Sequence, residues 1–194
     1  MWEIVSLVTA AAFHGAGHWL AARACGIRMR RIVRTATGVR LMCEDGDFPS
    51  YDAELWVALG GPLGNLIGNA LLVAVFLLAR QYAAHEALRA ICRTVLPLSL
   101  FLGIWNLMPI RGFDGGRILC CLLLRGRHGE RFSFALRGVE RLLSATSAAC
   151  FLVLWLLSVY LLLRTGRAFS LFWFCVQLFW GCMRQEDECV NSYD

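Results

Sequence analysis

Two histidines four residues apart, His14 and His18, are the side chains of this chain best suited to gripping a metal ion. On a helix that spacing puts both imidazoles on one face, one turn apart. Two such imidazoles can hold a single zinc ion, whose catalytic form takes three protein ligands and keeps one position open. The third ligand is expected to be Asp114, in the run N-L-M-P-I-R-G-F-D-G-G from Asn106 to Gly116. Pro109 breaks the apolar stretch before it, and Gly115-Gly116 let the backbone turn so that the carboxylate points back towards the helices. The histidine spacing is that of H-E-x-x-H, in which the glutamate acts as general base, but Gly15 stands at the glutamate position. Glu44, Asp45, Asp47 and Glu54 are the carboxylates left to approach from the adjoining loop.

The elements that must carry these groups are apolar. Of the 194 residues, 58% are hydrophobic and 17% charged, too little charge for a soluble domain of this length. The class expected is an all-α polytopic membrane protein forming a single membrane-embedded domain over residues 1–194. Polar pairs inside membrane helices are functional sites by default. The nineteen basic residues are all arginine, and they gather at the ends of apolar runs. The net charge of +5 therefore reads as membrane topology, with no nucleic-acid partner. The nine cysteines lie mostly in or beside apolar runs and include no C-x-x-C, so they read as reduced, small hydrophobes.

Trp2 to Ala24 is long enough to cross the hydrocarbon; it stops at Arg23 and Gly26, and Arg28, Arg30, Arg31, Arg34 and Arg40 follow. The positive-inside rule puts that end, and with it His18, towards the cytoplasm. Ile27 to Cys43 has β-type runs around a glycine bend and is expected to form a hairpin, with Ile32, Val33, Val39 and Leu41 in its strands. Glu44 to Asp52 is a loop. Leu55 to Ala79 is the second span, with Gly60, Gly61, Gly64 and Gly68 allowing close helix approach and Asn65 and Asn69 one turn apart. Residues 80–93 form a connection, and Ile91 to Met108 the third span. Ile118 to Leu124 is apolar but too short to cross alone. Leu142 to Leu163 is a charge-free span, and Phe169 to Met183 either crosses or lies in the interface. The core thus covers residues 2–124, the C-terminal helices 140–183, and an acidic tail 184–194. Asp114 and His18 both fall near the cytoplasmic end of their spans, at similar depth.

Three motifs in order now carry a resemblance. They are H-x-x-x-H opening a helix that continues W-L-A-A-R-A-C-G-I, G-G-P-L-G-N from Gly60 to Asn65, and N-x-x-P…D-G-G from Asn106 to Gly116. Across residues 13–120 the chain resembles the site-2 proteases, zinc intramembrane metalloproteases, nearest the stage IV sporulation type. The resemblance implies a three-helix metalloprotease core, followed here by two or more further membrane helices. It implies one zinc ion on His14, His18 and Asp114, and a multi-pass protein of the bacterial cell membrane. The substrate would be a membrane-bound protein cut within the lipid bilayer near the cytoplasmic face, and a regulatory membrane partner is also in keeping with the family. The hairpin after the first motif would add a strand to an unwound substrate, and Asn106 would position substrate, while Asn65 is either a helix-packing amide or a second substrate-positioning group.

Gly15 departs from that pattern, because in the family a glutamate there activates water and passes its proton to the leaving amine. Losing a general base costs about 10²–10⁴ in rate. The residues therefore leave three readings: an intramembrane metalloprotease, a catalytically dead pseudoprotease that binds zinc and holds clients, and a small metal-ion or solute carrier. The carrier reading is disfavoured by the lack of paired repeats.

Overall fold

Several helix boundaries in this chain depart from where hydropathy alone would put them. The computed structural model describes residues 2–35, 38–43, 50–79, 85–126 and 130–165. Five helices occur among them: α1 (Trp2–Ala24), α2 (Tyr51–Leu78), α3 (His85–Asn106), α4 (Asp114–Leu124) and α5 (Glu130–Thr165). Between α1 and α2 the backbones of β1 (Met29–Thr35) and β2 (Gly38–Cys43) run antiparallel, with Ile32 opposite Leu41 and Arg34 opposite Val39. α1, α2, α3 and the greater part of α5 are each long and apolar enough to cross a membrane, the architecture of an integral membrane protein. Phe169 to Met183 and the acidic tail lie outside the described residues.

The described residues fall into two units. The first holds α1, α2 and α3. α1 ends in a Schellman motif: Gly26 adopts φ +72°, its N–H donates to Arg23 O, and Ile27 N–H donates to Ala22 O at 2.9 Å. α2 begins at Tyr51, four residues before the expected Leu55, because Ser50 caps it. The Ser50 hydroxyl accepts Ala53 N–H at 3.1 Å, and Asp52 and Glu54 occupy the positive end of the helix dipole. Residues 85–93 are helical where a connection was expected, so α3 starts six residues earlier than hydropathy alone suggests. Leu107 and Met108 turn out of α3, which ends at Asn106.

Small residues control how α1 and α2 meet. A Cβ on Gly17 would run into Gly60 O and come within 2.8 Å of Gly64 Cα. One on Gly60 would lie 2.6 Å from Gly17 O and 2.7 Å from Ala21 Cβ, and one on Gly68 would strike the Phe13 ring. The two backbones are therefore in direct contact at Gly60 and Gly64, and Gly68 continues the stripe beneath the Phe13 ring, a packing of small residues that lipid-embedded helices use to gain energy without a hydrophobic drive. α3 is tied in by polar bonds: the buried Ser6 hydroxyl donates to Thr94 Oγ1 at 2.7 Å, and Asn69 Nδ2 donates to Leu96 O at 3.4 Å. The outward faces carry exposed Leu7, Leu66, Leu71 and Phe101, as expected of surfaces solvated by acyl chains.

The second unit holds β1, β2, α4 and α5. α5 starts at Glu130, twelve residues before the apolar run at Leu142, so part of the arginine-rich segment is helical. α4 starts at Asp114, not at Ile118. A tight turn precedes it. Gly112 takes φ +89°, a conformation other residues rarely hold, and Phe113 N–H donates to Ile110 O at 3.1 Å. α5 grips that turn. Thr146 Oγ1 donates to Pro109 O at 3.0 Å, and Arg111 N–H donates to Ser147 Oγ at 2.9 Å. A Cβ on Gly116 would run into Ile110 O, so α4 packs tightly under the turn that introduces it.

Candidate metal centre

His14 and His18 lie in the middle of α1, partly buried, with ring centroids 4.7 Å apart and ring planes at 86°. Their Nε2 atoms face each other at 3.1 Å. Both other ring nitrogens are occupied by α2. His18 Nδ1 lies 2.6 Å from Val57 O, and His14 Nδ1 lies 3.2 Å from Asn65 Nδ2. A carbonyl only accepts, so His18 carries a proton on Nδ1 and turns its Nε2 towards His14. That is the arrangement of a metal-ligating histidine oriented by an outer partner.

The pair fits zinc on two counts. With Zn–N bonds of about 2.0–2.1 Å and a tetrahedral angle, two ligating nitrogens stand about 3.3 Å apart. The observed 3.1 Å is within a few tenths of that edge. Opposite the pair, α2 presents Gly61, and a Cβ there would collide with His18 Nε2 and lie 2.6 Å and 2.7 Å from His14 Cε1 and Nε2. Only glycine leaves the nitrogens accessible. Gly61 sits about 100° round the helix from Gly60, off the Gly60-Gly64-Gly68 stripe, so helix contact does not account for it. That offset was visible in the G-G-P run, which the sequence reading took wholly as a packing device.

Asp114 is the first residue of α4 and is buried. A carboxylate there is favoured by the unpaired N–H groups and dipole of the helix start. Its position depends on the 109–113 turn, which α5 fixes through Thr146 and Ser147.

Gly15 is exposed, and a Cβ built on it meets nothing within 4 Å. Among the loop carboxylates, Glu54 lies in the first turn of α2, seven residues and so about 10 Å along the axis from Gly61. Glu44, Asp45 and Asp47 lie outside the described residues. Asn106 donates to Leu102 O of its own helix at 2.9 Å. Asn65, expected to face substrate, is fully buried against His14. Ile32, Val33, Val39 and Leu41 are in the paired strands, and their side chains lie outside the described residues.

No protein-family model and no curated protein matches the chain. Among solved structures, the fold is similar to a site-2 protease from Methanocaldococcus jannaschii, with TM-score 0.56 and 22% identity. The similarity covers 93% of this chain and 75% of that one.

Proposed function

We propose that this chain is an intramembrane metalloprotease of the site-2 type, holding one zinc ion on His14, His18 and Asp114 and acting on a membrane-bound protein. The observation that carries the reading is the facing Nε2 pair, backed on its other nitrogens by Val57 O and Asn65 and left open by Gly61. The fold likeness to a site-2 protease supports the same chemistry. Asp114 is assigned as third ligand from its motif, its burial and its place at the start of α4. A bound zinc ion would polarise the scissile carbonyl and lower the pKa of water to about 7.

The residues of the chain then have separate tasks. Val57 O holds the His18 ring in its ligating tautomer, Gly61 keeps the approach clear, and the lipid-embedded helices limit water to the site. The two-stranded β1–β2 ribbon has outer edges to which an unwound substrate segment would add as a strand. The arginines after α1 support an orientation with the site towards the cytoplasm; a bacterial cell membrane is the proposed setting, and the sporulation-type proteases are the functional analogy. Asn106 is assigned to substrate positioning, and a regulatory membrane partner is part of the same reading.

One specific observation favours a second reading. At Gly15 no side chain is present to take a proton from water or hand one to the leaving amine. A chain with intact ligands and no base would bind clients and cut them slowly or not at all, as a pseudoprotease.

Purified chain in lipid nanodiscs, assayed by elemental analysis and with a reporter bearing one transmembrane segment, tests the proposal. The expected result is one zinc per chain, with slow reporter cleavage abolished by a chelator. Zinc-free protein after purification in zinc-replete medium overturns it. Stoichiometric zinc with client binding but no cleavage selects the pseudoprotease.

A further inference from the structure

Hydroxyl side chains on the helices of this chain share a habit. Thr9, Thr94, Thr146, Ser147, Ser158 and Thr165 each donate to a carbonyl one turn back on their own helix. Ser99, in α3, does not. It is wholly buried, and its Oγ has no hydrogen-bond partner among the described residues. Two carboxamide oxygens on α2 are in the same position, Asn65 Oδ1 and Asn69 Oδ1, on side chains only 1% and 7% exposed. Burial has taken such atoms out of water, so each calls for a partner that the helices do not supply.

The three atoms belong to one seam. Asn69 Nδ2 donates to Leu96 O at 3.4 Å, and a Cβ on Gly103 would lie 3.3 Å from Asn65 Nδ2. α2 and α3 therefore run past each other in opposite directions, with Asn69 beside Leu96 and Asn65 beside Gly103. Ser99 comes three residues after Leu96 and four before Gly103, which keeps it on the same face of α3, level between the two amides. The two carboxamide oxygens cannot bond each other, since both only accept. The unmet inventory is two acceptors and one hydroxyl. Water, with two hydrogens to give and lone pairs to receive one, matches it.

We infer that Asn65, Asn69 and Ser99 form a binding site for one water molecule at the α2–α3 seam. The water donates a hydrogen to each carboxamide oxygen and accepts the Ser99 hydroxyl, three bonds in all, the usual number for a buried water. Side chains one turn apart on a helix have Cβ atoms about 5–6 Å from each other. Two O–H···O bonds of about 2.7–2.8 Å through one oxygen span that interval. Asn65 is then engaged at both ends, with Nδ2 standing 3.2 Å from His14 Nδ1 and Oδ1 held from behind. The water is a positioning ligand one layer behind the histidine pair. The inference goes beyond the zinc assignment, because none of its three residues is a proposed metal ligand.

The test is water-edited solid-state NMR on full-length chain, labelled with ¹³C and ¹⁵N, in lipid bilayers. Magnetisation passed from water should reach Asn65, Asn69 and Ser99 faster than two equally buried references. These are Val95, an apolar neighbour on α3, and Ser158, whose hydroxyl is already bonded to Trp155 O at 2.7 Å. Ser99→Ala removes one of the three bonds and should lower the uptake at Asn65 and Asn69 by about 2–10-fold, the occupancy worth of one net hydrogen bond. Asn69→Leu, close in shape, should do the same at Asn65 and Ser99. Uptake in the parent no faster than at Val95 and Ser158 overturns the inference, as does parent-like uptake in both folded variants. A thermal midpoint higher in sodium chloride than in choline chloride of equal strength, with the difference lost in Ser99→Ala, assigns the three oxygens to a cation and also overturns it. None of these readouts uses zinc, so their outcome is independent of the metalloprotease reading.

Discussion

The carbonyl oxygen of Val57 lies 2.6 Å from His18 Nδ1, so the backbone of α2 determines which nitrogen of His18 is offered to a metal. Backbone carbonyls cannot be exchanged by mutation, and His18 is thereby the more firmly prepared of the two imidazoles. Substituting either ring removes a ligand outright. His14→Ala, His18→Ala and Asp114→Ala are each expected to lower zinc affinity by more than the about 100-fold upper range of outer-partner changes. Competition titration checks it, and parent-like affinity in Asp114→Ala would remove that residue from the ligand set.

Gly61→Ala places a methyl where the two Nε2 atoms converge. Zinc content should fall to background although no ligand has been changed. Elemental analysis, with circular dichroism confirming retained helix, separates a blocked site from an unfolded chain.

A Cβ at Gly15 meets nothing within 4 Å, so Gly15→Glu can start a side chain there without displacing a neighbour. Cleavage of the transmembrane reporter should rise by about 10²–10⁴, the usual worth of a general base. Zinc affinity should stay near that of the parent. An unchanged cleavage rate in a zinc-loaded variant would show that the glutamate position is not what limits this chain.

Two glycine-to-alanine changes should have opposite signs. At Gly64 the methyl would strike Phe13 O and lie 2.7 Å from Gly17 Cα, forcing α1 and α2 apart, at a cost of about 1–3 kcal/mol. At Gly138, in α5, the methyl meets nothing within 4 Å, and the better helix former should stabilise by up to about 1 kcal/mol. Thermal unfolding in detergent reads both.

Ser147→Ala leaves Arg111 N–H without the hydroxyl it donates to, and loosens the turn that introduces α4. The expected loss is about 1–3 kcal/mol, the range for a buried donor stripped of its acceptor. Zinc affinity should drop with it if that turn presents Asp114 to the metal.

The histidine pair was legible in the sequence because its information is local: two residues, one helical turn, an apolar setting. The helix starts were less so. Ser50 and the acidic first turn of α2 were read as loop, since capping residues are polar by nature and resemble a linker until the helix after them is seen. Residues 85–93 and 130–141 are charged yet helical, because a membrane helix continues past the hydrocarbon wherever Glu and Arg tolerate the geometry. Glu86 and Arg89, one turn apart at 3.6 Å, show that local support. Asn65 was read as a packing or substrate-facing amide, and its contact with His14 was not legible in the sequence. Its partner His14 lies 51 residues away on another helix, and their meeting depends on the register of α1 against α2.

That register is set by glycines whose neighbours are backbone atoms. Such a contact acts as a hard stop, with no side-chain rotamers between the helices to yield. Changes in bilayer thickness, which membrane helices absorb by tilting or kinking, should therefore leave the contact between α1 and α2 in place. The imidazole pair rides on a joint that does not slip, and its geometry should be the same in thin and thick membranes.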